Sequence, residues 1–323
     1  MKNRINTVVI VGMLGLLYTA CSTSERSAES ELPAKVVDVP VFNADTAYQY
    51  IQDQVNFGPR IPNTSEHEAA GDAIIKTLET HGARVTVQAF EATAYDGTVL
   101  QLRNIIASYN PEVKKRLLLA AHWDTRPWAS KDPEDKQAKF DGANDGGSGV
   151  GVLLEIARNL NAQSPDVGVD IIFFDGEDWG QEQGSDPDTW CLGSQYWSKN
   201  PHQRGYSAYY GILLDMVGAK DAQFRYEGTS YQMARKILDK VWKQGVALGY
   251  SRYFIPERSS SITDDHYYVN TVAKIPMIDI LHYDRNAGYF GDFHHTRADN
   301  MELIDKNTLK AVGQTVMHVV YYE

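Results

Sequence analysis

The stretch Arg116-Leu117-Leu118-Leu119-Ala120-Ala121-His122-Trp123-Asp124 decides how this chain folds. An unbroken apolar run of this length is too short for a buried helix. It does not alternate, so it reads as a strand covered on both faces, as in a parallel or mixed central sheet. It stops abruptly at an imidazole and an acid. The same pattern returns three times. Residues 169–174 run into Asp175-Gly176-Glu177-Asp178, residues 211–214 into Asp215, and residues 275–281, beyond a loop, into His294-His295-Thr296. Between these runs, apolar residues recur at helical spacing over 65–80, 147–160, 230–248 and 306–322. Strands alternating with helices predict an α/β fold: a mixed, mostly parallel central sheet flanked by helices.

In such sheets the reactive groups gather beyond the carboxyl ends of the strands. The polar clusters above all fall there. So does Gly142-Ala143-Asn144-Asp145-Gly146-Gly147-Ser148-Gly149, which opens a helix. It lacks the Gly-Lys-Ser/Thr ending of a phosphate-binding loop. A soluble core gains nothing from several acids converging on one edge, and converging carboxylates repel unless a cation neutralises them. Two carboxylates and one imidazole suit Zn²⁺ and leave a position open. Asp145, Asp178 and His295 are the expected ligands, with His294 as the register alternative to His295. Glu177 adjoins a ligand but is expected to point elsewhere, because neighbours at a strand end face opposite ways. An acid beside a metal that does not bind it is suited to proton transfer.

The chain has 323 residues, a formal charge of -11, and 43% hydrophobic and 11% aromatic residues. That suffices for one large core, and the acidic balance argues against a nucleic-acid partner. At the N-terminus, Lys2 and Arg4 precede an apolar segment over 8–17, too short to span a bilayer comfortably. Small residues before Cys21 then read as a lipobox. The expected organisation is a lipoprotein signal peptide over 1–20, lipidation of Cys21, a Ser/Glu/Pro-rich tether over 21–43 and one domain over 44–323. The expected location is the cell envelope, periplasmic and lipid-anchored. Ser22 leans towards the outer membrane, and the anchor is the expected contact with lipid. Only Cys21 and Cys191 are present, so neither a disulfide framework nor a cysteine-rich metal site is expected.

Several motifs together resemble the animal-type glutaminyl cyclases and their bacterial counterparts. They are Phe57-Gly58-Pro59-Arg60, Arg103-Asn104-Ile105-Ile106, Asn110-Pro111, the 117–124 run, Phe173-Phe174-Asp175-Gly176-Glu177, Leu213-Leu214-Asp215-Met216-Val217-Gly218-Ala219, Asp264-Asp265-His266 and His295-Thr296. The similarity runs from about residue 50 to the end. The resemblance implies the fold of the di-zinc aminopeptidases and one Zn²⁺ per chain on Asp145, Asp178 and His295. It implies Glu177 as the proton shuttle, with Asp215 and Asp264 hydrogen-bonding the shuttle or the reaction centre. It places Trp190 and His122 at the substrate. The implied reaction closes the N-terminal glutamine of a peptide or protein into pyroglutamate and releases ammonia. The attacking amine must be neutral, and with a pKa of about 7.7–8.0 that implies a mildly alkaline optimum.

Three positions depart from the animal pattern: Asp178 stands for Glu, Asp279 for His and His294 for Trp. They bear on the seat of the metal and on the pocket wall. The rival reading is an aminopeptidase on the same scaffold, in which His122 and Asp215 would hold a second zinc. Trp123 and Trp128 read as packing residues.

Overall fold

The computed structural model describes residue 1, residues 37–285 and residues 289–323. Helices α1 (Ala44–Asn56) and α2 (Ser65–Thr80) precede an antiparallel pair, β1 (Arg84–Thr93) and β2 (Val99–Tyr109). Then follow β3 (Arg116–His122), α3 (Gly147–Ala162), β4 (Gly168–Phe174), α4 (Leu192–Lys199) and β5 (Tyr210–Asp215). The last part contains β6 (Phe224–Tyr226), α5 (Gly228–Met233), α6 (Arg235–Ala247), β7 (Phe254–Arg258), α7 (Asp265–Tyr268), β8 (Met277–Leu281) and α8 (Lys306–Tyr321). The main sheet has six strands in the order β1-β2-β4-β3-β5-β8, with β4, β3, β5 and β8 mutually parallel. The mixed, mostly parallel α/β architecture expected from the apolar runs is therefore the observed one.

Every residue of β3, β4, β5 and β8 is buried, which is why these strands carry no alternation. Their two faces feed two cores. Leu117, Leu119 and Ala121 of β3 join the larger core with Val150 and Leu153 of α3 and Val312 and Val316 of α8. Leu118 and Ala120 point the other way, towards Trp197 of α4 and Val269. After β3 the chain crosses through α3 to β4 on one side, then returns past β3 to β5 on the other. The site lies at this reversal, the usual binding position of open α/β sheets.

Four strands have no counterpart in the sequence reading, the short pair β6 and β7 together with β1 and β2. β1 has no fully buried residue, and β2 alternates exposed and buried residues at its start. They form the antiparallel edge, where one face meets water and continuous hydrophobicity is not required. The single helix expected over 230–248 is two, α5 and α6, with a break at Ala234. Glu227 caps the start of α5: its carboxylate accepts from Thr229 N at 2.7 Å and Ser230 N at 2.6 Å. Ser230 Oγ also donates to it at 2.7 Å and accepts from Asp279 N at 3.0 Å. Beyond the break, α6 packs Leu238 and Val241 into the larger core.

The compact unit extends over residues 37–323, so the end of the expected tether already packs. Phe42 is buried, and its N–H donates to Gln314 Oε1 at 2.9 Å. The expected signal peptide and Cys21 lie outside the described residues. Among the described residues no helix is long and apolar enough to cross a membrane.

Candidate active site

The carboxyl ends of β3, β4 and β5, with the loops after β4, β7 and β8, enclose a cavity of about 590 Å³. Asp145, Glu177, Asp178, Trp190, Asp215, Asp264, His294 and His295 all line it. Residues spread over about half the chain therefore meet at one point. His122, expected to touch substrate, instead lies under the floor. It is buried, with Nε2 at 3.0 Å from Asp145 Oδ1 and 3.2 Å from Asp215 Oδ1.

The turn that presents Asp145 is tightly specified. Gly146 has φ +78°, and a Cβ there would meet Asp124 O at 2.7 Å, so only glycine fits. A Cβ on Gly149 would lie 2.3 Å from Leu214 O, so α3 can start this close to β5 only without a side chain there. Asp299 holds the turn by accepting from Asn144 N at 2.7 Å and Asp145 N at 3.0 Å. The Glu177-Asp178 pair is held by Asp124, whose two oxygens accept from Glu177 N at 3.1 Å and Asp178 N at 3.2 Å. Asp175, first acid of that run, turns away and meets His67 at 2.9 Å.

The hydrogen-bond partners separate the two adjacent histidines. His295 Nδ1 lies 2.7 Å from Glu182 Oε2. A carboxylate only accepts, so Nδ1 carries the proton. Its Nε2 then faces Asp178 Oδ1 at 3.0 Å and Asp145 Oδ2 at 3.6 Å. Both of these oxygens are buried and have no hydrogen-bond partner among the described residues. His294 is arranged the other way. Lys131 Nζ, a donor only, reaches its Nδ1 at 2.7 Å. Burial, with the neighbouring His295 and Lys131 charges, pushes the His294 pKa well below its ordinary value. Neutral His294 thus carries its proton on Nε2 and has no lone pair there to offer a metal.

Two orphaned carboxylate oxygens converging on one imidazole nitrogen, with no thiolate among them, fit Zn²⁺. His122, Asp145 and Asp215 form a second cluster whose donor atoms lie within 4.8 Å of one another. Glu177 sits between the converging donors and an inner acidic wall. Its Oε1 accepts from the Cys191 thiol at 3.3 Å. Burial pushes its pKa well above the usual carboxylate value, and the Asp178, Asp264 and Asp265 charges add to the rise. Burial likewise raises Asp215 to about 7, helped by Asp264 and Asp145. Trp190 stacks parallel to His295 at 6.0 Å between centroids, and the Arg126 guanidinium lies 4.9 Å over the Trp190 ring.

Asp124, Arg126, Glu182 and Asp299 shape the site without having been singled out for these tasks in the sequence. Asp124 could have been found from its position two residues past His122. Glu182 and Asp299 sit in polar loops with no periodic pattern to mark them.

A mostly parallel sheet with acids and imidazoles converging at its switch point defines a zinc-dependent enzyme of the exopeptidase-like α/β class. More narrowly, the chain belongs to peptidase family M28, whose family model matches residues 104–320. It is similar to a glutaminyl cyclase of Bacteroides thetaiotaomicron solved with N-acetylhistamine bound. The two share 54% identity over 88% of this chain and 100% of that one, with a TM-score of 0.87. It is also similar to a Zn-dependent exopeptidase of Parabacteroides distasonis, at 53% identity over 88% of this chain and 99% of that one, with a TM-score of 0.86. The glutaminyl-peptide cyclotransferase of Drosophila melanogaster is 27% identical over 273 residues, 77% of this chain and 73% of the relative.

Proposed function

We propose that this protein is a zinc-dependent glutaminyl-peptide cyclotransferase acting on peptides and proteins with N-terminal glutamine. One observation carries the reading. Glu177 is a half-buried carboxyl that lies beside the converging Asp145, Asp178 and His295 donors and takes no part in them, in a chain half identical to a bacterial glutaminyl cyclase. Asp145 Oδ2, Asp178 Oδ1 and His295 Nε2 would hold the ion. When bound, zinc supplies a Lewis acid that polarises the γ-carbonyl oxygen of the glutamine.

The reaction is an intramolecular aminolysis. The α-amine nitrogen bonds to the γ-carbonyl carbon, the bond from that carbon to the amide nitrogen breaks, and one proton moves from the first nitrogen to the second, which leaves as ammonia. Glu177 is placed to accept that proton and return it, and its raised pKa makes it a competent acid as well as a base. Asp215 and Asp264 line the same cavity, and the Asp264 charge helps to raise the Glu177 pKa. Trp190 offers a flat wall against which the glutamine side chain can lie in the bound substrate and in the transition state alike.

Incubation with a Gln-initiated peptide tests this. Loss of ~17 Da with release of ammonia, and no shorter peptide, is the expected result. Removal of the first residue with gain of water would make it an aminopeptidase, and the His122, Asp145 and Asp215 cluster would then hold a second ion. One zinc per chain is the stoichiometry expected of the cyclase. Export to the envelope and lipidation at Cys21 are part of the proposal on the sequence alone, checked by the mass of the mature N-terminus.

A further inference from the structure

We infer that Glu182 is a positioning residue for the metal centre: it fixes the His295 proton on Nδ1 and so keeps Nε2 free for the ion. The inference rests on the zinc reading above. Glu182 does not converge with Asp145 and Asp178, and it lies in the polar loop that follows α-carbon order from Asp178 towards Trp190. Its Oε2 is 2.7 Å from His295 Nδ1. A ligating imidazole needs such a partner, because a ring free to flip or to change tautomer presents its lone pair only part of the time.

Glu182 is itself held. Ser130 Oγ donates to Oε2 at 2.9 Å, Lys131 Nζ lies 2.9 Å from Oε1, and Arg126 Nη2 lies 3.5 Å from Oε2. The same segment reaches two of the three expected ligands. Arg126 N donates to Asp178 Oδ2 at 3.1 Å, and Lys131 N donates to the His295 carbonyl at 3.1 Å. Residues 126–131 therefore form a frame that fixes Asp178 directly, the His295 backbone directly and the His295 ring through Glu182. The backbone needs this support because His295 sits at φ +58°, a left-handed conformation that non-glycine residues seldom adopt unless their surroundings impose it.

The side chain of Glu182 is 24% exposed, so removing it leaves no buried hole, and a metal-specific effect can be separated from a folding effect. Glu182→Ala and Glu182→Gln are compared with the unaltered protein and with His295→Ala by equilibrium competition for zinc against a chromophoric chelator. Each zinc-stripped form is also melted. Glu182→Ala is expected to weaken zinc binding roughly 10–100-fold. Glu182→Gln, which keeps an acceptor oxygen, is expected to lose less. The zinc-stripped variants should melt close to the zinc-stripped parent.

Unchanged zinc affinity in Glu182→Ala, with His295→Ala losing zinc, would overturn the positioning role and leave the ligand assignment intact. A drop in the melting of the zinc-stripped variants as large as the loss of zinc stability would show Glu182 to be structural, and would also overturn it. Full zinc retention by His295→Ala would instead bring down the ligand assignment itself.

Discussion

The two sides of the cavity both collect ionisable groups but dispose of their protons differently. On the His295 side each imidazole proton is assigned by a neighbour: Glu182 fixes it on Nδ1 of His295, and Lys131 fixes it on Nε2 of His294. What remains is one bare nitrogen and two orphaned oxygens, a set that a cation completes. On the inner side, oxygens of Asp264 and Asp279 and a ring nitrogen of His266 lie within 4.8 Å of one another. No donor there is offered to Asp264 Oδ2 or to either oxygen of Asp279. Glu227 already engages His266 through Nε2 at 2.9 Å, and its own pKa is drawn down to about 2 despite burial. Burial and the Asp264 charge push Asp279 well above the usual range. Two like charges at this separation cannot both persist. One side is thus prepared for a metal and the other stores protons, with Glu177 between them.

The sharpest way to break that contrast is His295→Ala. It should lose zinc and ammonia release together, read by elemental analysis and a coupled assay; normal metal content would mean that the metal side has been misassigned. Next in size, Glu177→Gln should keep zinc and lose turnover by at least ~100-fold. A Gln variant that still turns over would place the proton carrier elsewhere on the acidic wall. Asp264→Asn should also keep zinc and cost less turnover than Glu177→Gln, since Asp264 acts on the shuttle and not on substrate nitrogen. A loss of zinc in this variant would merge the two sides.

A smaller effect concerns stability and pH. Burial raises Asp215 to about 7 and, with the Asp145 charge, Asp299 to about 8, whereas an unfolded Asp titrates near about 3.9. Between these values the folded chain keeps protons that the unfolded chain has released, so this contribution to stability falls as pH rises. The zinc-stripped protein should therefore melt progressively lower from about pH 5 to about pH 8. Zinc favours the ionised acids, so the loaded protein should show a shallower decline; parallel curves would argue that these acids do not sense the ion. The smallest change is expected from Trp190→Ala, which should raise KM more than it lowers kcat, the pattern of a wall that binds substrate and transition state alike. An equal fall in kcat and kcat/KM would move Trp190 into the chemistry.

The four buried strands were legible because burial on both faces demands unbroken apolar residues, and that demand is local. The same logic hid β1 and β2, which face solvent on one side. It also fused α5 with α6, since the apolar spacing runs through Ala234 although Glu227 and Ser230 tie the first turn to β8. The gathering of Asp145, Glu177, Asp178, Asp215 and His295 at one edge followed from strand polarity, whereas Asp264 was implied by the family resemblance. His122 looked equally well placed, yet it ends β3 with its ring turned beneath Asp145 and Asp215.

The sequence by itself determined the four buried strands, their parallel sense and the edge where the acids meet, because each depends on residues close in the chain. Only the tertiary structure decided which of two adjacent histidines presents a bare nitrogen. That choice is made by Glu182 and Lys131, 113 and 163 residues away along the chain, and a proton's position is set by what lies within hydrogen-bond reach in space, whatever the distance in sequence.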